Sequence, residues 1–176
     1  MQSSAESETR AALQVAALMA AAARTAPKTR GIDNLRTAVI DDAPTRQRVV
    51  ARMREIAAAE HRPSLARDAA NIEASPALVV IGVEAAPAGL DCGFCNQPTC
   101  AALAAAGGVC AFNSIDLGIA CASAAEVAGR LHVDNRLMYS IGRACLDLQL
   151  LGPRVTQALG IPLSVTGKNP FFDRAH

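Results

Sequence analysis

Residues 77–112 read ALVVIGVEAAPAGLDCGFCNQPTCAALAAAGGVCAF, and two features of this stretch organise the rest of the chain. The first is a continuous, largely β-branched run at 77–83, bounded by Pro76 and Pro87, which predicts a central strand of a sheet. The second is a group of four cysteines that follows the strand after a short gap. A site built from these cysteines is therefore expected beyond the end of that strand.

The four cysteines fall within residues 91–112, and they are Cys92, Cys95, Cys100 and Cys110. Their spacing is C-x2-C-x4-C-x9-C. Because a thiolate is a soft anionic ligand, four of them in one short segment suit a thiophilic metal ion or an iron–sulfur cluster. Glycines at positions 93, 107 and 108 would let the backbone bend closely around such a group. We therefore expect residues 91–112 to bind a metal cofactor through these four side chains.

Three alternatives to an iron–sulfur cluster remain open on the residues alone. A structural zinc site also uses four cysteines, but it usually arranges them as two C-x2-C pairs, and this segment has one. Disulfides would need an oxidising compartment, and four unligated thiols would need no particular spacing. The spacing therefore favours an iron–sulfur cluster, and four thiolates fit both the [4Fe–4S] and the [2Fe–2S] type.

Composition is typical of a globular chain with one core. The 176 residues fit a single domain, residues 1–176, and 51% of them are hydrophobic. A net charge of +1 argues against a nucleic-acid-binding surface, and no apolar run reaches the roughly 20 residues that span a bilayer. The apolar stretch after residue 10 follows two glutamates rather than a basic region, so we expect no secretion signal. With six cysteines, this favours a reducing compartment, and we expect the cytoplasm.

Several long motifs are specific enough to suggest a family. They are CGFC…C…GGVCAFNSIDLGIA, VDNRLMYSIGRA, GIPLSVTGKNPFFDR and, upstream, ARTAPKTRGIDNL. In these motifs the chain resembles an uncharacterised family of small proteins described as containing a ferredoxin domain. The resemblance implies a [4Fe–4S] cluster on Cys92, Cys95, Cys100 and Cys110, and it implies no particular reaction. Asn96-Gln97 and Cys121 depart from the pattern expected of such proteins, and neither removes a ligand.

A second candidate site lies in the basic segment 24–31, which contains Arg24, Lys28 and Arg30 followed by a glycine. Such a segment is most often a solvated turn. It also suits an anion, such as the phosphate of FMN, because clustered cations and a glycine-containing loop can hold a phosphate. Flavin-dependent nitroreductases likewise carry basic residues just after a first helix. We therefore name these three side chains as candidate FMN ligands.

The remaining pattern predicts an α-rich α/β fold, with a small sheet packed with several helices and the cluster loop after the main strand. Helices are expected at 8–24, 45–61, 65–74, 100–106, 112–129, 134–151 and 154–159, and a second strand at 35–40. On the helix at 112–129, Ile115, Ile119 and Ala122 share a face that we expect to be buried. Cys145 lies on an apolar stripe and is expected to be a buried thiol. Phe171 and Phe172 are expected to fold over the cluster.

These observations favour an electron carrier that binds one cluster and passes single electrons to a redox partner protein. The first alternative is a nitroreductase-like flavin enzyme, an oxidoreductase in which the cluster feeds FMN. The second is an interaction module with a structural zinc. The sequence leaves open whether the chain is an enzyme and whether it forms a homo-oligomer. We expect neither a nucleic acid nor a membrane among its partners.

Overall fold

The computed structural model describes residues 1–172, and within them six α-helices cover both faces of a four-stranded antiparallel sheet. The helices are α1 (Ser4–Thr25), α2 (Ala43–Ala59), α3 (Pro63–Glu73), α4 (Cys100–Ala105), α5 (Ala111–Arg130) and α6 (Tyr139–Asp147). The strands are β1 (Leu35–Ile40), β2 (Leu78–Glu84), β3 (Asp134–Asn135) and β4 (Val155–Ser164). A short 3-10 turn, Thr29–Gly31, follows α1. The expected α-rich α/β fold is confirmed.

Strand β2 is an inner strand, as its apolar run predicts, because β1 and β4 pair with its two edges. Val79 and Ile81 face a core formed with α1 and α5. Leu78 and Val80 face a second core formed with α2, α3 and α6. A strand that is buried on both faces needs apolar side chains at successive positions, which explains why its sequence does not alternate.

Helix α1 begins earlier than expected, because Ser3 and Glu6 form a capping box at its start. Its buried stripe consists of Ala12, Val15, Ala16, Met19 and Ala23. This stripe packs along α5. Small alanine side chains on the facing surfaces allow the two helix backbones to approach closely.

Helix α5 buries a different face from the expected one. Ile115 is 39% exposed, Ile119 is 36% exposed and Ala122 is exposed as well, so placing them in the core is wrong. The buried face carries Leu117, Ala120, Cys121, Ala124 and Ala128. The helix has two apolar stripes, and packing against α1 selects the one with smaller side chains. The isoleucine stripe remains on the surface.

Of the two helices predicted in the last third of the chain, one is wrong and the other begins later than expected. Residues 155–159 are not helical but form the first half of strand β4, which pairs with β2 from Val155 to Pro162. Asp134 and Asn135 do not cap a helix but pair with Ser164 and Leu163 as strand β3, and the following helix α6 begins only at Tyr139.

None of the described helices combines the length and the hydropathy that crossing a lipid bilayer requires.

Candidate metal centre

The four predicted ligands line one concavity beyond the end of β2. Cys92 is exposed, Cys95 and Cys100 are half-buried, and Cys110 is 7% exposed. All six cysteines of the chain are free thiols. The structure therefore places around one concavity the four side chains that the spacing singles out. Cys92 is the most exposed of them and Cys110 the most buried.

A reversal of the chain brings the first two cysteines to the same cavity. Gly93 has φ +72° and Asn96 has φ +63°, and the amide of Asn96 donates to the Gly93 carbonyl over 2.9 Å. The left-handed conformation at Gly93 costs little because glycine has no Cβ. The C-x2-C pair is thus folded back on itself within a single turn.

The third cysteine opens helix α4, and two side chains fix the start of this helix. Thr99 is the N-cap and accepts a hydrogen bond from the Ala102 amide over 3.1 Å. The Asp91 carboxylate accepts a hydrogen bond from the Cys100 amide over 2.6 Å. Because Asp91 directly precedes Cys92, this bond joins the two ends of the first cysteine loop.

The fourth cysteine is placed by the glycine pair that ends α4. Gly107 has φ +62°, and the Gly108 amide donates to the Leu103 carbonyl over 3.0 Å, as in a Schellman-type helix end. A Cβ on Gly108 would lie 2.5 Å from Leu103 Cδ1, so glycine is required there by packing. Cys110 follows as the N-cap residue of α5.

Few charged side chains lie around the cavity. Residues 92–115 contain no Asp, Glu, Lys, Arg or His, although 19% of the chain is charged. Asp91, just before them, places its carboxylate 2.6 Å from the Cys100 amide. Cys100 and Cys110 stand at the starts of α4 and α5, where the helix dipole places partial positive charge.

The donor set determines what the site can hold. Four thiols line the concavity, and four thiolates are the ligand set of an iron–sulfur cluster and also of structural zinc. Among residues 1–172, no three His, Cys, Asp or Glu side chains lie close enough together to hold one metal ion.

A small core supports the cysteine lobe, by which we mean residues 85–110. Ala88, Leu103 and Cys110 are buried together, and Cys95 and Phe112 pack against them. The Phe94 ring lies on the Phe112 ring, with centroids 5.5 Å apart and an interplanar angle of 34°. These contacts are separate from the two cores on the faces of the sheet.

The three basic residues predicted for FMN lie in the last turn of α1 and in the segment after it, and each donates to protein oxygens. Arg24 Nη1 donates to Asp33 Oδ2 over 2.5 Å and to the Leu35 carbonyl over 3.0 Å. Lys28 donates to the Ala26 carbonyl over 2.9 Å, and Arg30 to the Ala88 carbonyl over 2.9 Å. A phosphate at this segment would have to compete with these partners, so the FMN assignment stays a prediction.

The other two cysteines are buried in the core and do not reach the cavity. Cys121 packs between α1 and the sheet, and Cys145 packs on the opposite face. Burial raises the pKa of each thiol to about 12, so both remain protonated at neutral pH. Neither thiol is suited to replace a ligand.

Phe171 and Phe172 do not fold over the cysteine lobe, so that expectation is wrong. Phe171 is 1% exposed and packs with the core formed by α2, α3 and α6. Arg136 fixes it there by donating to the Phe171 carbonyl over 3.1 Å and by lying 5.5 Å from the centre of the Phe172 ring. The last part of the tail, residues 173–176, lies outside the described residues.

Two buried polar residues on α5 support the site, and sequence reasoning missed both. Asn113 is 3% exposed and donates to the carbonyls of Glu84 and Ala86, which lie where β2 passes into the cysteine lobe. Asp116 is 8% exposed and accepts hydrogen bonds from Thr29. The signal available in the sequence was that both polar residues lie in an otherwise apolar helix, three and six residues after Cys110.

Solved structures of low sequence identity share this fold. A nitroreductase with bound FMN from Desulfitobacterium hafniense DCB-2 matches with a TM-score of 0.62 at 16% identity, over 96% of this chain and 80% of that chain. A nitroreductase with bound FMN from Bacteroides fragilis NCTC 9343 matches with a TM-score of 0.63 at 12% identity, over 93% and 82% of the two chains. The architecture described above therefore resembles that of nitroreductases.

Sequence comparison gives a much nearer relative. An uncharacterized protein from Archaeoglobus fulgidus is 37% identical over 173 residues, which cover 93% of this chain and 92% of that protein. In addition, the model of one family matches residues 106–174, a range that includes the fourth cysteine and begins after the other three. The chain belongs to that family, the uncharacterized proteins that contain a ferredoxin domain.

Proposed function

We propose that the chain binds one [4Fe–4S] cluster through Cys92, Cys95, Cys100 and Cys110 and passes single electrons to a redox partner protein. The observation that carries the proposal is that all four thiols line one concavity. The ferredoxin-domain family supports an iron–sulfur cofactor. When bound, the cluster would supply reversible one-electron chemistry.

The chain's own residues favour retention of an anionic cluster. The starts of α4 and α5 present partial positive charge at Cys100 and Cys110. The Phe94–Phe112 pair and the buried Ala88 and Leu103 restrict water around the deeper ligands. Hydrogen bonding, burial and nearby charge are the factors by which a protein sets the potential of such a cluster.

The rim of the site suggests how a partner would dock. Leu90 is 42% exposed, Phe94 is 64% exposed and Val109 is 45% exposed, and all three lie beside the cysteines. Residues 92–115 carry no charged side chain, so a partner would meet a largely apolar surface with the exposed carboxylate of Asp91 between Leu90 and Cys92. Docking there would depend mainly on apolar contact. The partner would approach on the side where Cys92 is exposed.

A flavin enzyme is the second candidate function, because the fold resembles that of nitroreductases solved with FMN. In this case the phosphate would bind at Arg24, Lys28 and Arg30, and the cluster would exchange electrons with the flavin. Arg24 would have to exchange Asp33 for the phosphate. FMN titration of the reconstituted protein, followed by flavin fluorescence, tests this. Quenching that Arg24→Gln weakens supports the second candidate, and no quenching removes it.

Anaerobic reconstitution is the decisive experiment for the cluster. The expected result is a brown protein with about four iron and four sulfide per chain, the content of one [4Fe–4S] cluster. Half that content would indicate [2Fe–2S], and a colourless protein with one zinc would contradict the proposal.

Matched cysteine variants assign the ligands. Cys110→Ser is expected to abolish stable iron binding, because it removes the ligand at the start of α5. Cys145→Ala, at a buried thiol in the other core, is expected to retain the full iron content. Equal iron content in both variants would contradict the assignment.

A further inference from the structure

Arg30 lies far from the cysteines in sequence but contacts the segment that leads into them. Its Nη1 donates to the Ala88 carbonyl over 2.9 Å and approaches the Gly89 carbonyl at 3.4 Å. Ala88 itself lines the concavity that contains the four thiols. A Cβ on Gly89 would lie 3.1 Å from the same nitrogen, so the guanidinium rests directly against this backbone. Arg30 therefore touches the wall of the cysteine site from outside.

The conformation of Arg30 is unusual for a residue with a side chain. Its φ is +57°, and Gly31 follows at φ +66°. A left-handed residue other than glycine costs free energy, so surrounding contacts must hold it. The Gly31 amide donates to the Lys28 carbonyl over 2.9 Å, which closes the turn. This turn directs the arginine side chain toward the cysteine lobe.

The turn is fastened to α5 by Asp116. The Thr29 amide lies 3.1 Å from both carboxylate oxygens of Asp116, and Thr29 Oγ1 donates to Oδ1 over 2.9 Å. Because α5 begins at Cys110, the same helix carries one ligand and the anchor of the arginine turn. Asn113 of this helix also donates to the carbonyls of Glu84 and Ala86, where β2 leads into the cysteine lobe.

We infer that Arg30 is a positioning residue for the cysteine site. It clamps the backbone at Ala88 and Gly89, three to four residues before Cys92, and Asp116 sets the clamp. Arg30 forms no ion pair with a carboxylate among residues 1–172. Its charge thus lies against a lobe whose cavity has no charged lining. With a cluster bound, this positive charge favours the reduced, more negative form.

The clamp is tested first without any cofactor, by amide hydrogen exchange on the metal-free, full-length chain. Arg30→Gln is expected to speed exchange in the segment 84–95 by roughly tenfold, the effect of losing one hydrogen bond from a charged donor. The control is Arg130→Gln, which removes the same charge at the far, exposed end of α5. Faster exchange in Arg30→Gln alone supports the inference, and equal exchange in wild type and Arg30→Gln overturns it.

The route through Asp116 is tested by a double-mutant cycle in the same assay. If Asp116 acts by fixing the turn, Asp116→Asn and Arg30→Gln should speed exchange by less in combination than the product of their separate effects. Multiplicative effects would show that the two residues act independently, which overturns the route.

The second arm uses the reconstituted protein, so its effect rests on the proposed function. Arg30→Gln is expected to lower the midpoint potential, and Arg30→Lys, which keeps the charge, to restore it. A potential unchanged in Arg30→Gln, or lowered equally in Arg130→Gln, would overturn the electrostatic role. If the wild-type chain binds no iron, the proposed function fails, while the exchange experiment still decides whether Arg30 positions the lobe.

Discussion

The contact between α6 and β4 gives a sharp stability prediction, because Gly142 lets the helix lie directly on the strand. A Cβ added to Gly142 would lie 1.8 Å from the Ala158 oxygen, 2.3 Å from its carbonyl carbon and 2.8 Å from the Leu159 nitrogen. All three atoms belong to backbone within the sheet, so no side-chain rotation can relieve the overlap. We therefore expect Gly142→Ala to force α6 away from β4.

The size of the effect follows from two opposing contributions. An ordinary contact begins near 3.4 Å, so the helix must move by about 1.6 Å at this point. Overpacking a tight core costs about 1–3 kcal/mol, and a backbone overlap belongs at the upper end of that range. Replacing glycine by alanine within a helix returns at most about 1 kcal/mol. The net loss of about 2 kcal/mol should lower Tm by roughly 4–8 °C in a chain of this size.

A matched control variant is expected to change Tm in the opposite direction. Gly118 lies in α5, is exposed, and has no heavy atom within 4 Å of an added Cβ. Gly118→Ala should therefore gain helix propensity alone and raise Tm by about 2 °C. Both variants are measured by thermal unfolding of the metal-free chain, followed by far-UV circular dichroism. A Tm for Gly142→Ala at or above that of wild type would refute the packing argument.

Three further predictions follow from the buried residues and from the cysteine lobe. Burial raises the pKa of Cys121 and of Cys145 from 9.0 to about 12, so these thiols lose their protons at lower pH in the unfolded chain than in the folded one. The free energy of unfolding should therefore fall as the pH rises from 9 toward 12. Denaturant titrations should show a shallower fall in the Cys121→Ala/Cys145→Ala double variant. Phe171→Ala should lower the free energy of unfolding by about 3–5 kcal/mol in denaturant titrations. It should leave the midpoint potential unchanged, because Phe171 lies in the core formed with α2, α3 and α6 and not in the cysteine lobe. Asp91→Ala should shorten the half-life of iron release to a chelator, since it frees the Cys100 amide at the start of α4; an unchanged half-life would show that Thr99 alone fixes that helix end.

The cysteine loop and strand β2 could be predicted because their chemistry is local. Soft ligands at short spacing restrict the cofactor whatever the surrounding fold is, and an apolar run of seven residues needs burial on both faces. The same holds for Gly107 and Gly108, where the helix end requires a left-handed residue and a close approach. These features needed no knowledge of distant partners.

Strand β4 could not be predicted in the same way, because its partner β2 is more than 70 residues away in sequence. Gly160 and Pro162 are typical of breaks, yet the strand runs through both. Gly160 exchanges hydrogen bonds with Met138, and the Leu163 amide donates to Ala77. Pro162 therefore turns its nitrogen away from β2, toward the gap between Asn135 and Met138, where no ladder bond is lost.

The positioning of the site likewise depends on tertiary structure. Arg30 was identified as a cation with a possible anion to bind, but its structural partner is a pair of backbone carbonyls 58 and 59 residues later in the chain. Asn113 and Asp116 carry no ligand chemistry and gain their roles only through the path of the chain around α5.

The separate core of the cysteine lobe has a consequence for the life of the protein in an oxidising environment. Ala88, Leu103 and Cys110 are buried with one another and not with the layers that hold the sheet together. Oxidative loss of a cofactor bound there would leave the two cores of the sheet intact, because none of the residues that line the concavity belongs to them.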